Sequence, residues 1–185
     1  MSKTINVNIL SQKSIQNAIK EIRNYQNDFH RKLEVFVSRL ADAGIEVAQS
    51  NVGGFGKYIV FSKEVDPAET GCTVVIHAKE TGKIISSWQT KDGIKSAEVS
   101  PLLMAEFGSG FGAENPKNIS GVGQGTFPDQ THAFDEEGWY WKDLDGNLHH
   151  SRGIEAKMPM YKASLEIIEQ CERIAKEVFS DGKGR

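Results

Sequence analysis

Ser100-Pro101-Leu102-Leu103-Met104-Ala105-Glu106-Phe107-Gly108-Ser109-Gly110 is the stretch on which the fold turns. Ser100 suits a helix N-cap, where its hydroxyl takes up a backbone N–H that has no helical partner. Pro101 suits the first helical position, because the N–H it lacks is one of those orphans. Leu102, Leu103, Met104, Ala105 and Phe107 then form a short apolar helix, and Gly108 supplies the left-handed residue that stops it. Past Gly108 the chain becomes rich in glycine and poor in pattern as far as about Asp135, which reads as a long flexible loop over 108–135.

On the N-terminal side the pattern is long and periodic. Ile5, Val7 and Ile9 alternate, as a short strand or extended arm would. Ser11 or Ser14 opens a helix whose apolar positions are Ile15, Ile19, Ile22, Phe29, Leu33, Phe36 and Leu40, with Gln26 filling the one polar place in the series. The steps of four and three are close to a heptad. The spacing predicts a helix over 14–43 ended by Gly44, an amphipathic rod laid across a sheet, with a coiled-coil dimer as the alternative. From Ile45 to Val99 the expectation is a β-meander: strands at 45–48, 57–63, 72–78, 84–88 and 94–99, a flexible tip at Asn51–Gly56, a loop from Asp66 to Gly71, and turns at Glu80–Lys83 and Lys91–Gly93.

On the C-terminal side, Gly138-Trp139-Tyr140-Trp141-Lys142 reads as an aromatic strand. Asp145-Gly146-Asn147 is a turn, and Leu148 to Ser151 is the returning strand. Met158-Pro159 introduces a closing helix with apolar positions from Met160 to Phe179. The fold class is therefore α+β: an antiparallel β-meander packed against a long N-terminal helix and a C-terminal helix, with long extended loops, in a single domain over 1–185.

A chain of 185 residues buries roughly 70% of its unfolded surface and needs no disulfide or metal staple. Its net charge of −3 argues against a dedicated nucleic-acid binder, which carries a basic stripe. Cys72 and Cys171 have no ligand-like spacing and read as reduced and buried. No segment approaches the ~20 apolar residues of a membrane span, and no signal-peptide pattern precedes Ser11, so the expectation is a non-secreted protein that does not enter a membrane.

Several motifs invite chemistry. Gly53-Gly54-Phe55-Gly56-Lys57 resembles a phosphate loop, but Asn51 stands where the first glycine belongs, Tyr58 where Ser or Thr belongs, and a strand follows instead of a helix. Asp143, Asp145 and Asn147 begin like a calcium loop, yet the glycine falls at the fourth position and Ile154 at the twelfth, so a hairpin turn is the better reading. Adjacent His149 and His150 point to opposite faces of a strand, and only a folded-back loop would bring Asp129, His132 and Asp135 to them. No metal, cofactor or catalytic residue is assigned. Glu106 is the one carboxylate embedded in an apolar helix; a general base with a raised pKa is one reading, and an outward or subunit-facing carboxylate is the preferred one. Trp139 and Trp141 fit a stacking platform for single-stranded nucleic acid, a protein interface or plain core.

Three segments in order resemble the tail-component family of long-tailed bacteriophages, the tail-completion, tail-terminator or head–tail joining proteins. They are Met104-Ala105-Glu106-Phe107-Gly108-Ser109-Gly110, then Gly138-Trp139-Tyr140-Trp141, then Met158-Pro159-Met160-Tyr161-Lys162-Ala163. The resemblance covers roughly residues 98–175. The Pro-Val-Asp-Thr-Gly-x-Leu-Arg segment of many members has only Glu69-Thr70-Gly71 as its counterpart, with no Leu-Arg after it. What the resemblance implies is a non-enzymatic virion protein of the tail or neck, made in the host cytoplasm. It implies a homo-oligomer, a hexameric ring touching tail-tube and neck or connector proteins, with DNA only passing through the lumen. Glu106, Phe107, Gly108, Gly110, Trp139 and Trp141 are then the subunit-interface candidates. The competing readings are a metal-dependent hydrolase or nuclease built on Glu106, Asp135, Glu136 and His149, and a small host-interaction or single-strand-binding module built on Trp139 and Trp141.

Overall fold

The computed structural model describes residues 4–110 and 137–180. Helix α1 runs Gln12–Ser50, 39 residues, about 58 Å at 1.5 Å per residue. Ser11 is its N-cap, accepting from the Ser14 N–H. Residues 4–10 form no strand; they fold back along the first turns of α1, with the Asn8 N–H donating to Ser14 Oγ at 2.8 Å.

Gly44 does not end the helix. It is buried within α1, and a Cβ placed there would lie 2.8 Å from Ile167 Cδ1 and 3.3 Å from Ile76 Cδ1. The glycine is a point of close approach, flanked by buried Ala41 and Ala48, and the helix continues through the segment 45–48 that alternation suggests is a strand. The expected tip at Asn51–Gly56 is likewise ordered: Val52 is buried and Gly53–Tyr58 winds into a 3₁₀ helix.

The chain then forms β1 (Ile59–Ala68) and β2 (Gly71–Glu80), a ten-rung antiparallel hairpin from Ile59↔Glu80 to Ala68↔Gly71. Asp66, Pro67 and Ala68, expected in a loop, are the end of β1. Strands β3 (Ile84–Thr90) and β4 (Gly93–Val99) form a second hairpin, followed by α2 (Pro101–Phe107) and β5 (Ser109–Gly110). After the undescribed segment come β6 (Trp139–Lys142), β7 (Leu148–Ser151), β8 (Gly153–Ile154) and α3 (Pro159–Phe179).

The α+β class with antiparallel strands and two long helices is as expected. The strands nevertheless divide between sheets among the described residues: β1-β2, β4-β3-β6-β7 and the short β5-β8 pair. The chain leaves the first sheet at the Thr81–Lys83 turn, and Glu80, the last residue of β2, accepts there from the Ser100 hydroxyl and the Leu102 N–H at the start of α2.

The core has two centres. Ala48, Val52, Ile59, Phe61, Ala105 and Ala163 join α1, β1, α2 and α3. Leu40, Ile174 and Val178, with Phe36, Ile167 and Phe179 around them, join α1 to α3 farther along. The two long helices are antiparallel: Phe29 and Phe36 pack with tilted rings against Phe179, Arg39 pairs with Glu177, and Asn51 accepts from Lys162 at 3.0 Å. Lys63 fastens β1 to α1 through Asp42 and the Ser38 hydroxyl, both at 2.6 Å.

Candidate functional site: the α2–α3 junction and the projecting sheet

Helix α2 is seven residues long and is held at both ends. Ser100 Oγ accepts from the Leu103 N–H at 3.1 Å and itself donates to Glu80, whose carboxylate also accepts from the Leu102 N–H at 3.2 Å. Lys83 completes the ring of donors around Glu80. Burial of the Glu80 carboxyl works against its charge, but the hydrogen bonds from Lys83, Ser100 and Leu102 outweigh it and hold Glu80 below the ordinary carboxylate range. Gly108 ends α2 with φ 65° and ψ −160°, its N–H returning to the Met104 carbonyl, so the caps read from sequence are the caps found.

Glu106 carries the junction. Its two carboxylate oxygens accept from the Met160 N–H at 2.8 Å and the Tyr161 N–H at 3.0 Å. These are orphan donors of the first turn of α3, whose own N-cap, Met158, is left-handed at φ 52° and offers no side-chain cap. A carboxylate at a helix N-terminus meets both the free N–H groups and the positive end of the helix dipole. One residue earlier, the Ala105 carbonyl accepts from the N–H groups of Lys157 and Met158 at 2.8 and 3.1 Å. Glu106 therefore does not point away from the fold; it clamps α3 from a residue more than fifty positions upstream.

The remaining candidates fall around this clamp. Phe107 is half-buried, Gly108 and Ser109 are buried, and Gly110 pairs with Gly153 while Ser109 pairs with Ile154. Ser109 and Gly110, expected in the loop, are thus in a strand; residues 111–135 of that expectation, with Asp129, His132, Asp135 and neighbouring Glu136, lie outside the described residues. Trp139 and Trp141 are half-buried on β6, away from Glu106 in the chain but connected to the junction through β7 and β8.

The β6–β7 hairpin has two decorated faces. Trp141 stacks on His149 with centroids 4.7 Å apart, and Tyr140 stacks on His150 at 4.4 Å, so the two histidines do point opposite ways. Asp143 organises the turn: Oδ1 accepts from the N–H groups of Asp145 and Asn147, and Oδ2 lies 2.8 Å from His149 Nε2. The His149 hydrogen bond, helped by Asn147 against the cost of burial, lowers the Asp143 pKa to about 2. The calcium-like spacing thus forms the hairpin turn that the sequence suggested.

Among the described residues, strands β3, β4, β6 and β7 pack chiefly on one another, and β4 exposes every residue from Gly93 to Glu98. Ile85, Ile94, Tyr140, Leu144 and Leu148 are all exposed on these strands and their turns. The upper half of α1 is similar: Ile15, Ile19, Ile22 and Tyr25 stand open, and among the described residues α3 covers the rod from Phe29 onward while segment 4–10 lies beside its first turns, where Ala18 is buried. The cysteines are free, but Cys171 is exposed on α3, which corrects the expectation that both are buried. Cys72 is partly buried, and desolvation, with Glu34 and Asp66 nearby, raises its thiol pKa.

Sequence reasoning missed Glu80 and the upper face of α1. A glutamate closing a strand twenty residues ahead of a Ser-Pro helix start is a weak signal, and an apolar heptad is the same string whether covered or open. Comparison of the chain with protein-family models, with curated proteins and with solved structures finds no match in any of the three.

Proposed function

We propose that this protein is a structural subunit of a bacteriophage tail or neck, building a homo-oligomeric ring, hexameric in the simplest case, at the head–tail junction or the tail end. Its partners on this reading are tail-tube and neck or connector proteins, and DNA passes through the lumen without being read. The observation that supports it most is the projecting sheet. A four-stranded sheet that, among the described residues, packs chiefly on itself and exposes Ile85, Ile94, Tyr140 and Leu148 is surface that a neighbour in a ring would bury. The resemblance supplies the class of assembly. Two of the three segments that carry it, Met104–Gly110 and Met158–Ala163, are bonded to each other through Glu106 and the Ala105 carbonyl, which gives a physical reason for their occurring together. Trp139 and Trp141 hold the sheet in shape on this reading, and Glu106 and Gly108 hold the sheet's root to the core.

Mass photometry and negative-stain microscopy of the purified protein, alone and with tail-tube protein, test the reading. Rings or ring-capped tubes are expected, and Ile85→Glu with Ile94→Glu should abolish them while leaving circular dichroism unchanged. A protein that forms no ring under either condition and is missing from purified virions would overturn it.

A further inference from the structure

We infer that the N-terminal half of α1 is a docking surface for the same half-helix of a second copy of this chain, the two running antiparallel about a two-fold axis. The heptad seam of α1 is continuous from Ile15 to Leu40. From Phe29 onward α3 fills it, antiparallel, through Phe179, Val178 and Ile174. Beyond the end of α3 at Phe179 the seam runs on, open among the described residues, through Gln26, Ile22, Ile19 and Ile15, with Ile22 55% and Tyr25 64% exposed and Ala18 on its flank buried.

The mate that fits is another antiparallel helix taking up where α3 leaves off. A parallel copy fails, because its own α3 would meet the first copy's α3 at the same level on the same seam. An antiparallel α1 avoids this: it lies in line with α3 and runs in the same direction. Centred on the open stretch, it sets Ile15 against Gln26 of the second copy and Ile19 against Ile22 of the second copy. In the flanking positions Arg23 then meets Gln16 of the second copy, so no like charges face each other there. The same alignment uses a second apolar feature. Ile9 and Leu10, 81% and 93% exposed just before α1, arrive beside Phe29 and Phe179 of the other chain. The positive N-terminal end of α1, with Lys13 in its first turn and no acidic residue, meets the negative C-terminal end of α3. A seam this short is marginal for free peptides, but α1 is held helical by the rest of the fold, so pairing carries no cost of helix formation.

This inference is independent of the virion reading, since the sheet plays no part in it. Sedimentation equilibrium of the wild-type protein should give twice the monomer mass of 20.5 kDa, or even multiples of it. Ile22→Glu should raise the dissociation constant of the pair roughly 100-fold, because the charge would be buried against Ile19. Orientation is read separately in a Cys72→Ser, Cys171→Ser background. Ile15→Cys mixed with Gln26→Cys should give disulfide-linked pairs on mild oxidation, while each variant alone should not, its thiols lying about 16 Å apart along the axis. Self-crosslinking of each variant would mean a parallel pair and overturn the proposal. So would a monomer whose introduced thiol reacts freely with maleimide, or a monomer in which that thiol is shielded, which would give the seam to a segment of its own chain. Rings lacking the crosslink between the Ile15→Cys and Gln26→Cys variants would overturn it too, while leaving the ring reading standing; loss of rings in the sheet variants with the crosslink intact would do the reverse.

Discussion

The junction around Glu106 and the hairpin around Asp143 are both carboxylate-centred, and they are built on opposite plans. Glu106 takes its donors from residues 54 and 55 positions away, and Glu80, besides Lys83 three residues on, takes donors from 20 and 22 positions away. Asp143 finds all of its partners within six residues. The pattern extends outward from each. The core is tied by Arg39 to Glu177, Lys63 to Asp42 and Lys162 to Asn51, whereas the side-chain bonds of the projecting sheet join near neighbours, Ser87 to Ser96, Thr90 to Gly93 and His150 to Glu137, and its two hairpins meet through the backbone pairing of Gln89 with Lys142. A region held by distant partners folds as one unit with the rest of the chain. A region held by its neighbours keeps its shape locally and opens at smaller cost. An assembly subunit benefits from that contrast, since a rigid body can carry a face that adjusts to a neighbour.

The contrast is broken most forcefully at Gly44. Gly44→Leu drives a side chain into Ile167 and Ile76, where even a Cβ has no room. The expected loss is about 3 kcal/mol of global stability, seen as a lower urea midpoint. The Asp143 turn should be unaffected in its native-state exchange, because none of its bonds reaches α1. If exchange at the hairpin rose in parallel with the core, the two regions would be one unit after all.

Glu106→Ala strips two N–H groups at the start of α3 of their acceptor and should cost about 2 kcal/mol. Glu106→Gln keeps the geometry with a weaker acceptor and should recover part of it. Thermal melts of the three proteins measure the series. Equal stability in all three, with assembly lost in Glu106→Ala, would return Glu106 to the interface role suggested by its sequence context.

The smallest effect is in acid. Asp143 is depressed in the folded protein to about 2, so its contribution is present above the ordinary aspartate value and fades as pH falls toward and through about 2. Trp141 fluorescence, which senses the stacked His149, should change in that window, and Asp143→Asn should abolish the change. Glu80 is depressed too, so part of the core also weakens in acid; a Trp141 transition that simply tracked core unfolding would remove the claim of local control.

Much of this is legible in the sequence where the controlling contact is short-range. Ser100, Pro101 and Gly108 declare α2 because caps act within a turn, and Asp143-x-Asp145-Gly146-Asn147 declares its hairpin for the same reason. Gly44 reads wrongly as a helix end because a stop and a close helix contact both ask for a missing Cβ, and only Ile167, 123 residues on, distinguishes them. The bonds from Glu80 to the start of α2 are hidden in the same way, twenty residues along the chain. For Glu106 the sequence marks the residue as unusual, but the donors that explain it lie beyond the range of any local pattern.

The nested clamps have an order as well as a geometry. Glu80 precedes the helix it caps, and Ala105 and Glu106 precede the helix they cap. On a ribosome the N-terminal part of the chain appears first, so each receptor is already made when the segment it receives emerges. α2 can close on Glu80 before α3 exists, and α3 then docks against a finished acceptor. Helix α3, made after α1 and α2, is thus the one that completes the core, filling the seam of α1 from Asn51 back to Phe29.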